Sequence, residues 1–111
     1  MDNANVIDLD LMTDKGRVHN LAGKDRGINA RAHFKLDELD ARAAEIVVVV
    51  PDHLNAISPS FFLGLFSASI AKLGGKEAFL NKYRFQADTA IMDQVMNGIR
   101  RAVADRGPLR S

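Results

Sequence analysis

The chain has 111 residues, 47% of them apolar and 26% charged, the balance of one ordinary globular domain. Fifteen basic against 14 acidic residues leave a net charge of +1, without the clear basic excess of a protein that grips nucleic acid electrostatically. The absence of cysteine excludes disulfides, thiolate nucleophiles and Cys-ligated metals.

The start, MDNANVIDLD, is acidic and lacks the basic opening and apolar run of a secretory signal, so the cytoplasm is the expected compartment. Val6 to Met12 alternates apolar and acidic residues, which predicts a strand with one wet face. A turn at Asp14-Lys15-Gly16 followed by a second short strand, Gly16 to Leu21 (GRVHNL), predicts that it closes a hairpin. A glycine-flanked basic loop, Gly23-Lys24-Asp25-Arg26-Gly27, then leads into a helix through Ala30 and Phe34, with a break near Leu36-Asp37.

Ile46 to Val50 (IVVVV) has no polar alternation and predicts a central strand covered on both faces. Pro59 to Leu73 is the clearest helix, opened by proline and stopped by Gly74-Gly75. Its apolar face is Phe62, Leu65, Phe66, Ser69, Ile70 and Leu73, while Gly64, Ala68 and Ala71 are small enough to let it lie close on the sheet. The adjacent pair Phe61 and Phe62 cannot share one helix face, so one of them is expected to reach solvent. A short helix at Lys76 to Lys82, a strand at Tyr83 to Gln86 and an amphipathic helix capped by Asp88 or Thr89 complete the chain. This last helix carries Ile91, Met92, Val95, Met96, Ile99 and Val103 on one stripe, and Gly107-Pro108 ends it. The stretch Leu54 to Ala71 is interrupted by serines, a proline and a glycine, and reads as a buried helix rather than a membrane span. The expected architecture is a single α/β domain, core about 6–106 and polar tail 107–111, with about four strands in a mixed sheet and helices mainly on one face.

Three sets of residues could carry chemistry. Ser58-Pro59-Ser60 sits where an apolar strand hands over to a helix: Ser58 is placed to cap it, with Pro59 at N1 and Ser60 at N2. Capping explains Ser58 but leaves Ser60 free, and a phosphate added there would meet the positive end of the helix dipole. Lys24, Arg26 and Arg31 form the second set, an alternative anion- or nucleotide-binding group at a helix start; the Walker glycine and Ser/Thr are missing. The third set, His19, His33 and His53, lies too far apart in sequence to show a metal site, and no nucleophile elbow surrounds any serine. No metal or cofactor is expected, and nothing positive indicates an enzyme.

The succession of apolar strand, AISPSFFLGLF, KYRF and a final helix resembles the STAS-like family of domains of unknown function, related to the anti-sigma factor antagonist (STAS) domains. The resemblance covers roughly Gly16 to Val103. It implies a regulatory, non-enzymatic module that docks a partner, an ATPase of the histidine-kinase-like fold, through Asn55, Ser58, Ser60 and Phe61. It also implies that Ser60 stands at the phosphorylated serine of the antagonists' Asp-Ser-Ser-Gly turn. Here Ser58 replaces the aspartate, Pro59 the first serine and Phe61 the glycine. A solvent-facing phenylalanine would equally serve a homodimer.

Overall fold

The computed structural model describes residues 5–106; the polar tail 107–111 lies outside them. The elements are β1 (Val6–Asp8), a 3-10 turn (Leu9–Met12), β2 (Asn20–Leu21), α1 (Lys24–Phe34), α2 (Leu36–Arg42), β3 (Ile46–Val49), β4 (Ala56–Ile57), α3 (Pro59–Leu73), α4 (Lys76–Lys82), β5 (Tyr83–Gln86) and α5 (Thr89–Arg106). The fold is α/β, but the expected four-stranded mixed sheet is replaced by two parallel sheets. One has three strands in the order β1-β3-β5; the other is the pair β2-β4.

The hairpin fails at Asp8. Its carboxylate accepts from the Asp10 amide at 3.0 Å and caps the 3-10 turn, so the alternating segment stops being a strand after three residues. The alternation still does its work in another geometry, because Ile7 and Leu9 are both fully buried. Thr13, also fully buried, holds the next bend: its hydroxyl donates to the Asp10 carbonyl and accepts from the Gly16 amide. Asp14, Lys15 and Gly16 all take positive φ, and the chain emerges as β2 beside β4 rather than beside β1.

β3 is central, as its composition predicts, but only one of its faces is covered. Ile46 and Val48 are buried, while Val47 and Val49 are only half-buried and the residues flanking Val47, Val6 and Arg84, are exposed. The covering side is aromatic: Phe66 of α3 packs edge-on against Tyr83 and Phe85, with Phe79 of α4 stacked on Tyr83.

α3, α4 and β5 follow the predicted bounds. Gly74 is the left-handed cap of α3, at φ 100°, and the Asp88 carboxylate accepts from the Ile91 amide at 2.9 Å to cap α5. α1 breaks one residue before the expected place, at left-handed Lys35, and α2 follows at once. The small-residue expectation holds at Gly64 alone, and its neighbour is a helix rather than the sheet. A methyl group there would stand 2.3 Å from the Lys24 carbonyl oxygen, and one at Gly27 would stand 2.3 Å from that of Phe61. Thus α1 and α3 cross backbone to backbone near their starts, with Ala68 exposed on the far side.

Candidate functional site

β2 and β4 run parallel and side by side, Asn20 opposite Ala56 and Leu21 opposite Ile57. Each leads directly into a helix, β2 into α1 and β4 into α3. The Gly27–Gly64 crossing then holds the two helix starts together. In α/β folds, ligands gather at the end of the molecule where parallel strands finish and helices begin. Two stretches that the sequence offers as separate sites, the basic loop and the serine junction, therefore meet at this one end.

The junction divides the serines. Ser58 is the N-cap of α3: its hydroxyl accepts from the Phe61 amide at 3.1 Å and its own amide donates to the Leu21 carbonyl at 2.8 Å. Ser60 follows at N2 and is exposed. Asn55 is exposed too, with its amide donating to the His19 carbonyl at 2.7 Å, the first rung of the β2–β4 pair. The expected solvent-facing phenylalanine is absent, since Phe61 and Phe62 are each 1% exposed. They diverge into different covered spaces. Phe62 meets Gly98 of α5, where a methyl group would stand 2.4 Å from its ring, and Phe61 lies beneath α1. With both rings buried, an exposed phenylalanine is removed as the basis for a homodimer.

Phe61 nonetheless forms part of a cleft of about 340 Å³, lined also by Leu11, Met12, Asp14, Leu21, Arg26 and Asn29. One wall is the segment after β1 and the other is α1; Leu11, at 63% exposed, is the most open large apolar residue described. Arg26 and Lys24 are exposed at the start of α1, whose cap, Gly23, offers no side-chain acceptor to the first-turn amides.

Arg31 does not join them. Its side chain is 11% exposed, and the guanidinium donates to the Leu65 carbonyl at 2.9 Å, Ser69 Oγ at 2.8 Å, Asp37 at 2.6 Å and Asp40 at 3.3 Å. Asp40, buried, is the hub of this network. It accepts from Ser69 Oγ at 2.5 Å and from the Tyr83 hydroxyl, while Lys82 donates to its carbonyl at 2.7 Å. Burial, and then the hydrogen bond to the Asp40 carboxylate, push the Tyr83 phenol above its ordinary range. Arg31, in its hydrogen bond and charge, holds the Asp37 carboxyl below the usual carboxylate range.

A second polar cluster, at the cleft end, was not legible as a set. Asp10 and His53 are 43 positions apart and pair at 2.8 Å through Oδ1 and Nε2. Thr13 Oγ1 donates to the same Asp10 oxygen at 2.7 Å, and His19 lies edge-on to His53 with ring centres 5.7 Å apart and Nδ1 3.1 Å from the His53 carbonyl oxygen. The hydrogen bond from Thr13, then that from His53, lower the Asp10 pKa. His33 stays apart, edge-on to Phe34. Among the described residues no group of three or more His, Cys, Asp or Glu side chains is placed to hold a metal ion, and no helix is long and apolar enough to cross a membrane. No family model, curated protein or solved structure matches the chain.

Proposed function

We propose that the protein is a non-enzymatic regulatory module that docks a protein partner at the end where β2 and β4 pass into α1 and α3. The observation that carries this reading is the shared cleft. Arg26 from the basic loop and Phe61 from the serine junction line one cavity, with exposed Leu11 at its margin. The apolar floor suits a partner's apolar anchor residue; Arg26 on the α1 wall would meet a carboxylate beside that anchor, while Asp14 on the facing wall has Arg17 at 3.9 Å. Ser60, exposed at N2, is the site where a phosphate would change the charge of this surface; a dianion there would oppose an acidic partner. The resemblance to STAS-like domains supplies the partner class, an ATPase of the histidine-kinase-like fold.

The test uses the native partner captured from the source cell and identified by mass, with its affinity then measured for single variants. Ser60→Asp and Arg26→Glu are expected to weaken binding at least tenfold, while Ser60→Ala retains it. Ser58→Ala serves as the fold control, losing about 1 kcal/mol of stability with its cap. Equal affinity for wild type, Ser60→Asp and Arg26→Glu would end the proposal.

A second reading keeps Lys24 and Arg26 as an anion site without Arg31, favoured by the uncapped first turn of α1. It requires a thermal shift with millimolar ATP or inorganic phosphate that disappears when both residues become alanine.

A further inference from the structure

One wall of the cleft is built unlike the rest of the molecule. Leu11, Met12 and Asp14 belong to a segment that leaves β1 and returns as β2; Leu21, Arg26, Asn29 and Phe61 belong to the packed body. The segment is anchored at its start by buried Leu9 and in its middle by buried Thr13, whose carbonyl accepts from the Val18 amide at 2.9 Å. Its tip runs through two consecutive left-handed non-glycine residues, Asp14 at φ 53° and Lys15 at φ 61°, a conformation such residues seldom hold without outside support. Among the described residues, exposed Arg17 has one ionic partner, Asp14 at 3.9 Å, within the segment itself. Across the gap to the β3–β4 connection, the ionic tie given by the structure is Asp10 to His53.

We propose that residues 10–18 form a strap over the cleft, latched by the Asp10–His53 pair, and that release of this latch widens the cleft for the docked partner. The proposal rests on the cleft being the docking surface, but the strap can be tested without any partner.

The latch has a defined electrostatic setting. Among the described residues, the charged or titratable groups in contact with the His53 ring are Asp10, from the 3-10 turn, and His19, from the run into β2. Asp10 attracts the imidazolium, and a protonated His19 would repel it. The His53 Nδ1 atom is buried and has no hydrogen-bond partner among the described residues, so the Nε2 edge alone ties the ring to the strap. The pair is strongest where Asp10 is ionised and His53 is charged. It weakens when the imidazolium charge is lost at higher pH, and again when Asp10 takes up a proton in acid.

The Thr13 and Val18 amides donate to the Asp10 and Thr13 carbonyls, bonds that close the turns of the strap itself. Their hydrogen exchange, corrected for its intrinsic pH dependence and referred to Val48 in the core, therefore reads the local unfolding by which the released strap opens. Exchange at these two amides is expected to be about two- to fivefold faster at pH 8 than at pH 5.5, the range for a partly exposed pair. Asp10→Asn and His53→Gln should each abolish that ratio while leaving Val48 protected, and His19→Gln should retain it. A ratio of one in the wild type, or an unchanged ratio in His53→Gln, would overturn the latch. Failure of docking is read separately: a strap that opens as expected while partner affinity is the same at both pH values leaves the latch standing and removes the cleft as the docking surface.

Discussion

Asp40 and Asp10 each gather polar groups from distant parts of the chain, and they do so under opposite conditions. Around Asp40, hydroxyls from α3 and β5 and a guanidinium from α1 converge on a carboxylate that water does not reach, with Lys82 on its backbone carbonyl. Around Asp10, one threonine and one histidine meet a carboxylate that remains about half exposed. A buried, fully partnered cluster fixes how helices sit, because breaking any one bond leaves the others uncompensated in a low dielectric. An exposed cluster exchanges its bonds with water at little cost and can therefore change state. The molecule thus has a rigid end and an adjustable end, and the cleft lies at the adjustable one.

The most severe way to test this difference is to remove Asp40. Asp40→Ala takes the buried acceptor from the Tyr83 and Ser69 hydroxyls and leaves Arg31 with Asp37 as its one carboxylate among the described residues. It is expected to cost about 3–5 kcal/mol, seen as a large fall in the denaturant midpoint. Asp10→Ala should leave that midpoint almost unmoved. If the two variants were equally stable, the contrast between the regions would fail.

Next in size is Gly64→Ala. The new methyl group would meet the Lys24 carbonyl oxygen at 2.3 Å, backbone that cannot swing aside as a side-chain tip would, so α1 must shift off α3. Overpacking of this kind costs about 1–3 kcal/mol. The same shift displaces Arg26 from Phe61, so partner affinity is expected to fall along with thermal stability. Gly74→Ala, where nothing stands within 4 Å, is the comparison: it carries only the strain of a positive φ and should spare the cleft.

The elements differ in how much of them the sequence alone makes readable. α3 was legible because one stretch combined a cap, a first-turn proline, a helical apolar stripe and a glycine stop, all pointing to one element. The Asp40 network leaves a partial trace in the sequence. Leu36, Leu39, Asp40 and Ala43 share helical spacing, which places a carboxylate on a buried face, and Ser69 sits in the same way on the stripe of α3. A charged residue on an apolar stripe calls for partners, and Arg31 supplied one instead of joining the basic loop. The hairpin misled because apolar–acidic alternation is shared by a strand and by a capped turn that buries the same residues. Asp8 decides between them through a single hydrogen bond. The β2–β4 pair and the Asp10–His53 contact had no local signal. Two-residue strands carry no period, and a pair 43 positions apart follows from topology alone.

The smallest expected effect separates the two regions by acid. Asp10 and Asp37 both have folded pKa values below the ordinary carboxylate value, the first through Thr13 and then His53, the second through Arg31. A depressed folded pKa means that the contribution is complete above the unfolded value, about 3.9, and is lost as pH falls through the lowered one. Both groups are exposed, so each loss is small, and a titration from pH 5 to 2 should show it locally before the whole molecule unfolds. At the Asp10 end, protonation releases the strap, and the Leu11 and Val18 resonances should move first. At Asp37, protonation takes one of several acceptors from Arg31, which keeps Asp40, Ser69 and the Leu65 carbonyl, so the Tyr83 resonances should stay in place through the same range. Asp37→Asn should then leave the acid response of the strap unaltered, and Asp10→Asn should remove it. Movement of Tyr83 in step with Leu11 would mean that the two carboxylate clusters open together, and that the adjustable end is not independent of the rigid one.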